Sequence, residues 1–183
     1  ARTFSAEGAN VALVDLETMK TKLEEVAQEI SAKDEKAITI AADVTKDTQV
    51  NRMVDETLRR WGKIDILINS AGLRGPLVPV QEITEQEWDS VHAVNLKAVF
   101  LCCKAVLKIM MKQKSGSIVS ISGTAGKEGM ALRGSLCAAK WGLLGLEPMS
   151  FVPAVWTNRI SGPCTRNGPK VWEWNFQSWR RAS

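Results

Sequence analysis

The residues of this 183-residue chain whose types and spacing could do chemistry are a few acids, amides and one lysine. Asp15 directly follows the apolar run 11–14. At the end of a strand in a dinucleotide-binding fold, a carboxylate can accept both hydroxyl hydrogens of the adenosine ribose, and its charge repels a 2′-phosphate, which favours NAD over NADP. The competing reading is an ordinary turn residue. Asn69-Ser70-Ala71-Gly72 follows the run 64–68. Its small Ala71 and Gly72 would let the backbone approach a cofactor, and an asparagine there can tie neighbouring strands together. Lys140 ends Leu136-Cys137-Ala138-Ala139-Lys140, one helical turn after Leu136 and downstream of Ser122-Gly123-Thr124-Ala125-Gly126. Leu136 cannot exchange a proton, Gly123 has no hydroxyl, and the chain contains no tyrosine. Cys102, Cys103, Cys137 and Cys164 show no C-x-x-C spacing, and with His92 as the single histidine a metal site is not expected. The cysteines read as core thiols and His92 as structural or exposed.

The elements that must position these residues alternate short β-branched runs with longer amphipathic segments, the rhythm of a parallel sheet covered by helices. Strands are expected at 11–14, 37–41, 64–68 and 117–121, and helices at 17–30, after Thr45-Lys46-Asp47, from 85 to about 111, and at 135–146. Val50, Met53, Val54, Leu58 and Trp61 recur at helical spacing, and Gly62 stops that helix, with Asp47 or Thr45 as the expected cap. Thr84-Glu85-Gln86-Glu87 has the order of a capping box. The long helix it opens is apolar on more than one face, which predicts burial against both the sheet and a partner subunit.

Composition fits one soluble domain: 45% hydrophobic and 24% charged residues exclude a disordered or collagen-like chain. The longest apolar stretch, 98–111, is broken by Lys104 and Lys108, too short and too charged to cross a bilayer, and residues 1–20 lack a signal-peptide pattern. A cytoplasmic protein that neither spans a membrane nor binds nucleic acid is the expectation. The net charge of +4 sits mostly in the tail, where Arg159, Arg166, Lys170, Arg180 and Arg181 outnumber Glu147 and Glu173.

On these segments the chain resembles the short-chain dehydrogenase/reductase family. Asn69-Ser70-Ala71-Gly72 is similar to that family's Asn-Asn-Ala-Gly signature, with Ser70 replacing the second asparagine, and Asp43-Val44 matches the segment lining the adenine. Asn95, in Val94-Asn95-Leu96, matches the asparagine of a proton relay, and Lys140 matches the lysine that holds the nicotinamide ribose. The resemblance implies an α/β, Rossmann-like doubly wound parallel sheet, and hydride transfer between a nicotinamide cofactor and an alcohol or ketone. The family's carbonyl-polarising serine and its acid/base tyrosine would stand at Gly123 and Leu136. Upstream, the family has a first strand and a Thr-Gly-x-x-x-Gly-x-Gly turn that seats the pyrophosphate; neither occurs in this sequence, so weak NAD binding is expected, and strands 11–14 and 64–68 lose their shared neighbour.

The resemblance covers residues 1–146 as a partial dinucleotide-binding domain. Residues 147–183, rich in tryptophan and proline without clear periodicity, read as a divergent, disordered tail, in which Ile160-Ser161-Gly162-Pro163-Cys164-Thr165-Arg166 is a faint echo of a nicotinamide-side segment. Ser122 is expected to face away from the site, and Ser135 to be a weak substitute for the lost hydroxyl. Three functional readings follow: an impaired NAD-dependent oxidoreductase, a non-catalytic subunit pairing with itself or intact homologues through 95–111 and 135–146, and a truncated product without independent function.

Overall fold

A computed structural model describes residues 1–31 and 36–146; the tail 147–183, with its echo segment and Cys164, lies outside the described residues. The chain runs α1 (Arg2–Ala6), β1 (Val11–Asp15), a 3-10 turn (Glu17–Met19), α2 (Lys20–Ser31), β2 (Ala37–Ala41), α3 (Asp47–Trp61) and β3 (Ile66–Asn69). It continues through a 3-10 turn (Val80–Glu82), α4 (Glu85–His92), a π-helical segment (Ala93–Lys97), α5 (Ala98–Gln113), β4 (Ser117–Ser120), a 3-10 turn (Thr124–Gly126) and α6 (Gly134–Gly145). This is the expected α/β alternation.

All strand pairing described is parallel, and each pair is joined by a helical crossover, as parallel strands require. β1 lies beside β2 with Val11 opposite Ala37 and Asp15 opposite Ala41, and β3 lies beside β4 with Ile66 opposite Ser117 and Asn69 opposite Ser120. Among the described residues no ladder joins β1 to β3, so the sheet is two pairs. One core nevertheless spans both. Ile40 and Ala42 from the β2 side, Val50, Met53 and Val54 of α3, Leu101, Cys102, Ala105, Val106 and Met110 of α5, and Ile118 of β4 form one buried cluster. Burying each of the larger side chains stabilises the fold by about 1.5–3 kcal/mol, which is why α3 and α5 hold the two strand pairs together without a hydrogen-bonded bridge. On β3 the period-2 alternation turns Leu67 toward this core and leaves Ile66 and Ile68 exposed.

Several boundaries differ from expectation for identifiable reasons. Gly62 ends α3 in a left-handed conformation, φ 73°, as a glycine stop should, its N–H bonded to the Leu58 carbonyl. The start of α3 uses neither expected cap: Lys46 occupies the N-cap without a side-chain bond. The Thr45 hydroxyl is committed to Asp43 as a donor at 2.7 Å, and the Asp47 carboxylate accepts from Asn51 one turn on. The capping box at Thr84 is present in both directions, with Glu87 N–H donating to Thr84 Oγ1 and Thr84 N–H to Glu87. The long helix is not continuous α-helix, because α4 and α5 are joined by the π-helical turn that carries Asn95. β3 begins at Ile66 rather than Ile64; the Ile64 N–H and carbonyl bond the Gln113 side-chain amide instead of a strand neighbour.

Candidate active site

The carboxyl ends of β1, β2 and β3 carry Asp15, Asp43, Val44 and Asn69, while Asn95 and Lys140 come from the π-helical turn and α6. Asp15 closes β1 in an exposed position, one carboxylate oxygen accepting from the Leu16 N–H at 2.8 Å, and its own carbonyl accepts from Ala42. Beyond β2, Asp43 accepts from the Thr45 N–H and hydroxyl at 2.9 and 2.7 Å. The Thr45 hydroxyl, then its N–H, hold the Asp43 carboxyl below the usual carboxylate range. Val44 packs partly buried against the core. These two acids therefore differ: Asp43 turns one carboxylate oxygen, Oδ1, to both the Thr45 N–H and hydroxyl in shaping a turn, whereas Asp15 keeps an exposed carboxylate edge able to accept from a ligand hydroxyl.

Asn69 ends β3 and is turned inward, its amide donating to Ser120 Oγ at 3.1 Å and to Cys103 Sγ at 3.5 Å. This is an interstrand tie. Ala71 and Gly72 follow on an exposed loop.

Asn95 is buried within the π turn. Its amide nitrogen donates to the Leu73 carbonyl at 2.8 Å and the Val91 carbonyl at 2.9 Å, and its Oδ1 accepts from the Leu73 N–H at 3.3 Å. The Val91 carbonyl lies one turn before Asn95, so the side chain reaches back along its own helical run to bond it. Asn95 thereby pins the loop over α4 and α6. A methyl group added at Gly72 would lie 3.3 Å from Asn95 Oδ1 and 3.9 Å from Lys140 Nζ, so both side chains converge on the Gly72 α-carbon.

Lys140, half-buried on α6, donates to the Ile121 carbonyl at 2.9 Å. Burial pushes its pKa below the ordinary lysine value, as desolvation of a cation must. Leu136 stands one turn earlier on α6, on the face shared by residues four apart. Gly123 has extended backbone, φ 172°, and a Cβ there would meet nothing within 4 Å among the described residues. The two positions where the sequence lacks chemistry thus flank a site with room for it.

Neither nearby serine takes over. Ser122 is buried and turned to α6, where its hydroxyl donates to the Lys140 carbonyl at 3.5 Å. Ser135 is 1% exposed beside Gly75, and its hydroxyl makes no hydrogen bond among the described residues. His92 bonds the Trp88 carbonyl and stacks on the Trp88 ring, centroids 4.2 Å apart. Among the described residues no cluster of His, Cys, Asp and Glu could hold a metal ion, and no helix is long and apolar enough to cross a membrane. Burial raises the Cys102 thiol to about 12 and also raises Cys103, so both are inert core thiols.

Sequence reasoning did not identify the Ile121 carbonyl, the Leu73 backbone or Ser120 as parts of the site. The first two act through main-chain atoms that carry no sequence signal; Ser120 had one, a polar residue in register with the inward-facing Ile118. A surface depression of about 420 Å³ between α2 and β2, lined by Glu24, Ala27, Gln28, Ala37, Ile38 and Thr39, includes none of the residues singled out by sequence.

The sequence profile of the family described as short chain dehydrogenase matches residues 1–149. The levodione reductase of Leifsonia aquatica is 37% identical over 149 residues, covering 81% of this chain and 56% of that protein. The crystal structure of NAD+-bound xylitol dehydrogenase superposes with TM-score 0.75 at 30% identity, over 79% of this chain and 55% of that one. A metagenomic short-chain oxidoreductase in complex with NADP gives TM-score 0.74 at 35% identity, over 80% and 65%. The chain spans little more than half the length of the first two.

Proposed function

The chain belongs to the short-chain dehydrogenase/reductase family, and from that premise we propose that its strand ends form one side of a nicotinamide-dependent alcohol/ketone oxidoreductase site whose proton-transfer machinery has been lost. The observation that carries this reading is the convergence of Asn95 and Lys140 on Gly72, with Leu136 one turn before the lysine and a bare Gly123 beside open space.

The residues present fit a dinucleotide at its ribose ends. Asp15 offers the exposed carboxylate that accepts ribose hydroxyls and disfavours a 2′-phosphate, so NAD is preferred over NADP. One relative binds each of the two cofactors, so the preference rests on Asp15 alone. Asp43 and Val44 shape the adenine side, Ala71 and Gly72 permit close approach along the loop, and Lys140 donates from its remaining N–H groups to the second ribose. Asn69 contributes by fixing β3 against β4 rather than by contact, since its amide is spent on Ser120 and Cys103.

A bound nicotinamide supplies hydride. The protein must supply a proton to the carbonyl oxygen and a donor to polarise it, and each omission costs about 10²–10⁴ in rate. Leu136 supplies no proton, and Gly123 no donor. Lys140 cannot substitute at full effect, because its amine is drawn to the Ile121 carbonyl and its ordinary place in the relay is through a partner that Leu136 does not provide.

Binding is tested by titrating the chain with NADH and NADPH by calorimetry. Catalysis is tested by assaying ketone reduction by the chain beside Gly123→Ser/Leu136→Tyr, each also joined to the first strand and glycine-rich turn of a relative. Activity confined to the repaired forms supports the reading.

A second reading has its own observation. Phe100 is 46% exposed on α5, and Trp141 is 50% and Leu144 37% exposed on α6, large apolar groups at the positions expected to pair with a second copy or an intact homologue. Co-purification with such a homologue, lost on Phe100→Glu/Trp141→Glu, would favour an interaction role.

A further inference from the structure

Lys140 differs from its neighbours in what surrounds it. Lys97 and Lys112, at the ends of the adjoining helical run, are exposed. Lys140 is half-buried, makes no ion pair among the described residues, and has Leu136 as its neighbour one turn before. Its Nζ is held at 2.9 Å from the Ile121 carbonyl and faces the exposed loop at Gly72, which has no side chain to cover it. Burial disfavours the charged form of an amine in this position: no carboxylate among the described residues pairs with it to offset the desolvation, and a neutral amine keeps the bond to Ile121.

From this arrangement we propose that Lys140 is a covalent capture site for small aldehydes and unhindered ketones, which it binds reversibly as an imine beside Gly72. The proposal does not depend on nucleotide binding.

One N–H of the neutral amine donates to Ile121, which leaves the nitrogen lone pair directed away from that carbonyl. The lone pair attacks the carbonyl carbon, the C–N bond forms, and the C=O π pair moves to oxygen, which takes up the proton released by nitrogen. Asn95 Oδ1, 3.3 Å from the same point over Gly72, has a second lone pair for the resulting hydroxyl hydrogen. Loss of that hydroxyl as water, with the last N–H proton of the adduct, leaves the C=N bond. Amine and carbonyl give imine and water, with no change in oxidation state. Depression of the lysine pKa by burial raises the neutral fraction at a given pH and so supports the step.

The test uses the full chain without nucleotide, incubated with butanal and sodium cyanoborohydride near neutral pH, which converts an imine to a stable butyl-amine. Peptide mapping by mass spectrometry compares the initial rate at Lys140 with those at Lys97 and Lys112 in the same sample. Lys140 is expected to label on the order of tenfold faster, a preference that disappears in urea and falls in Leu136→Glu, where a carboxylate one turn away restores the charge. Labelling of Lys140 no faster than Lys97 and Lys112, or a preference that survives in urea, overturns the proposal.

Discussion

The Asn69 amide and the Ser120 hydroxyl meet at 3.1 Å across the carboxyl ends of β3 and β4, both side chains buried. Asn69→Ala leaves a fully buried hydroxyl without its donor and should cost about 1–3 kcal/mol in denaturant unfolding. Ser120→Ala should cost less, because the Asn69 amide still reaches Cys103. Equal losses, or none, would contradict the interstrand tie.

Gly126 lies directly under α6: a Cβ there would collide with Ser122 Oγ and come within 3.1 Å of the Lys140 carbonyl. Gly126→Ala should therefore destabilise by about 1–3 kcal/mol through overpacking and displace Lys140, read as a lower unfolding midpoint together with slower labelling of that lysine by butanal. Gly123→Ala, in open space and extended backbone, should be nearly neutral.

Two groups give the chain opposite pH responses. Asp43 has its folded-state pKa depressed from 3.8, so its contribution is present above that value and is lost as pH falls through the folded pKa. Thr45→Val removes the larger cause, the hydroxyl, and should flatten the acid limb of stability against pH. Lys140 has its pKa depressed from 10.5, so the folded state binds fewer protons than the unfolded one as pH approaches 10.5, and stability contributed by this site rises with pH there. Lys140→Met should abolish that rise in unfolding curves recorded across the alkaline range.

Leu132 sits at φ 60° in the loop before α6, exposed, in a conformation that costs a non-glycine residue about 1–2 kcal/mol. Leu132→Asn or Leu132→Gly should raise stability by up to about 1 kcal/mol, measured by thermal unfolding. A loss would show that the leucine side chain makes a compensating contact.

Strands β1 and β2 were legible because β-branched runs bounded by polar turns admit little else, and Thr84 was legible because a capping box is encoded in four residues. The π turn was not. Residues 93–97 have ordinary helical propensities, and the bond from the Asn95 side chain to the Val91 carbonyl that accompanies the turn is visible only in the folded chain. The cap of α3 was misplaced because Thr45 and Asp47 both carry capping side chains, and competing local bonds, to Asp43 two residues before Thr45 and from Asn51 one turn after Asp47, engage them instead. At the candidate site, Lys140, Asn95 and Gly72 were singled out by motif, but their convergence was not legible, since it depends on a loop pinned by main-chain atoms of Leu73.

The central claim is that this site keeps its positioning groups and lacks its proton and its oxyanion donor. The most direct measurement is NADH-dependent reduction of a ketone by the chain and by Gly123→Ser/Leu136→Tyr, both joined to the same first strand and glycine-rich turn. The account predicts turnover at least about 10²-fold higher in the repaired form, abolished again by Lys140→Met. Equal turnover in the two forms would contradict it.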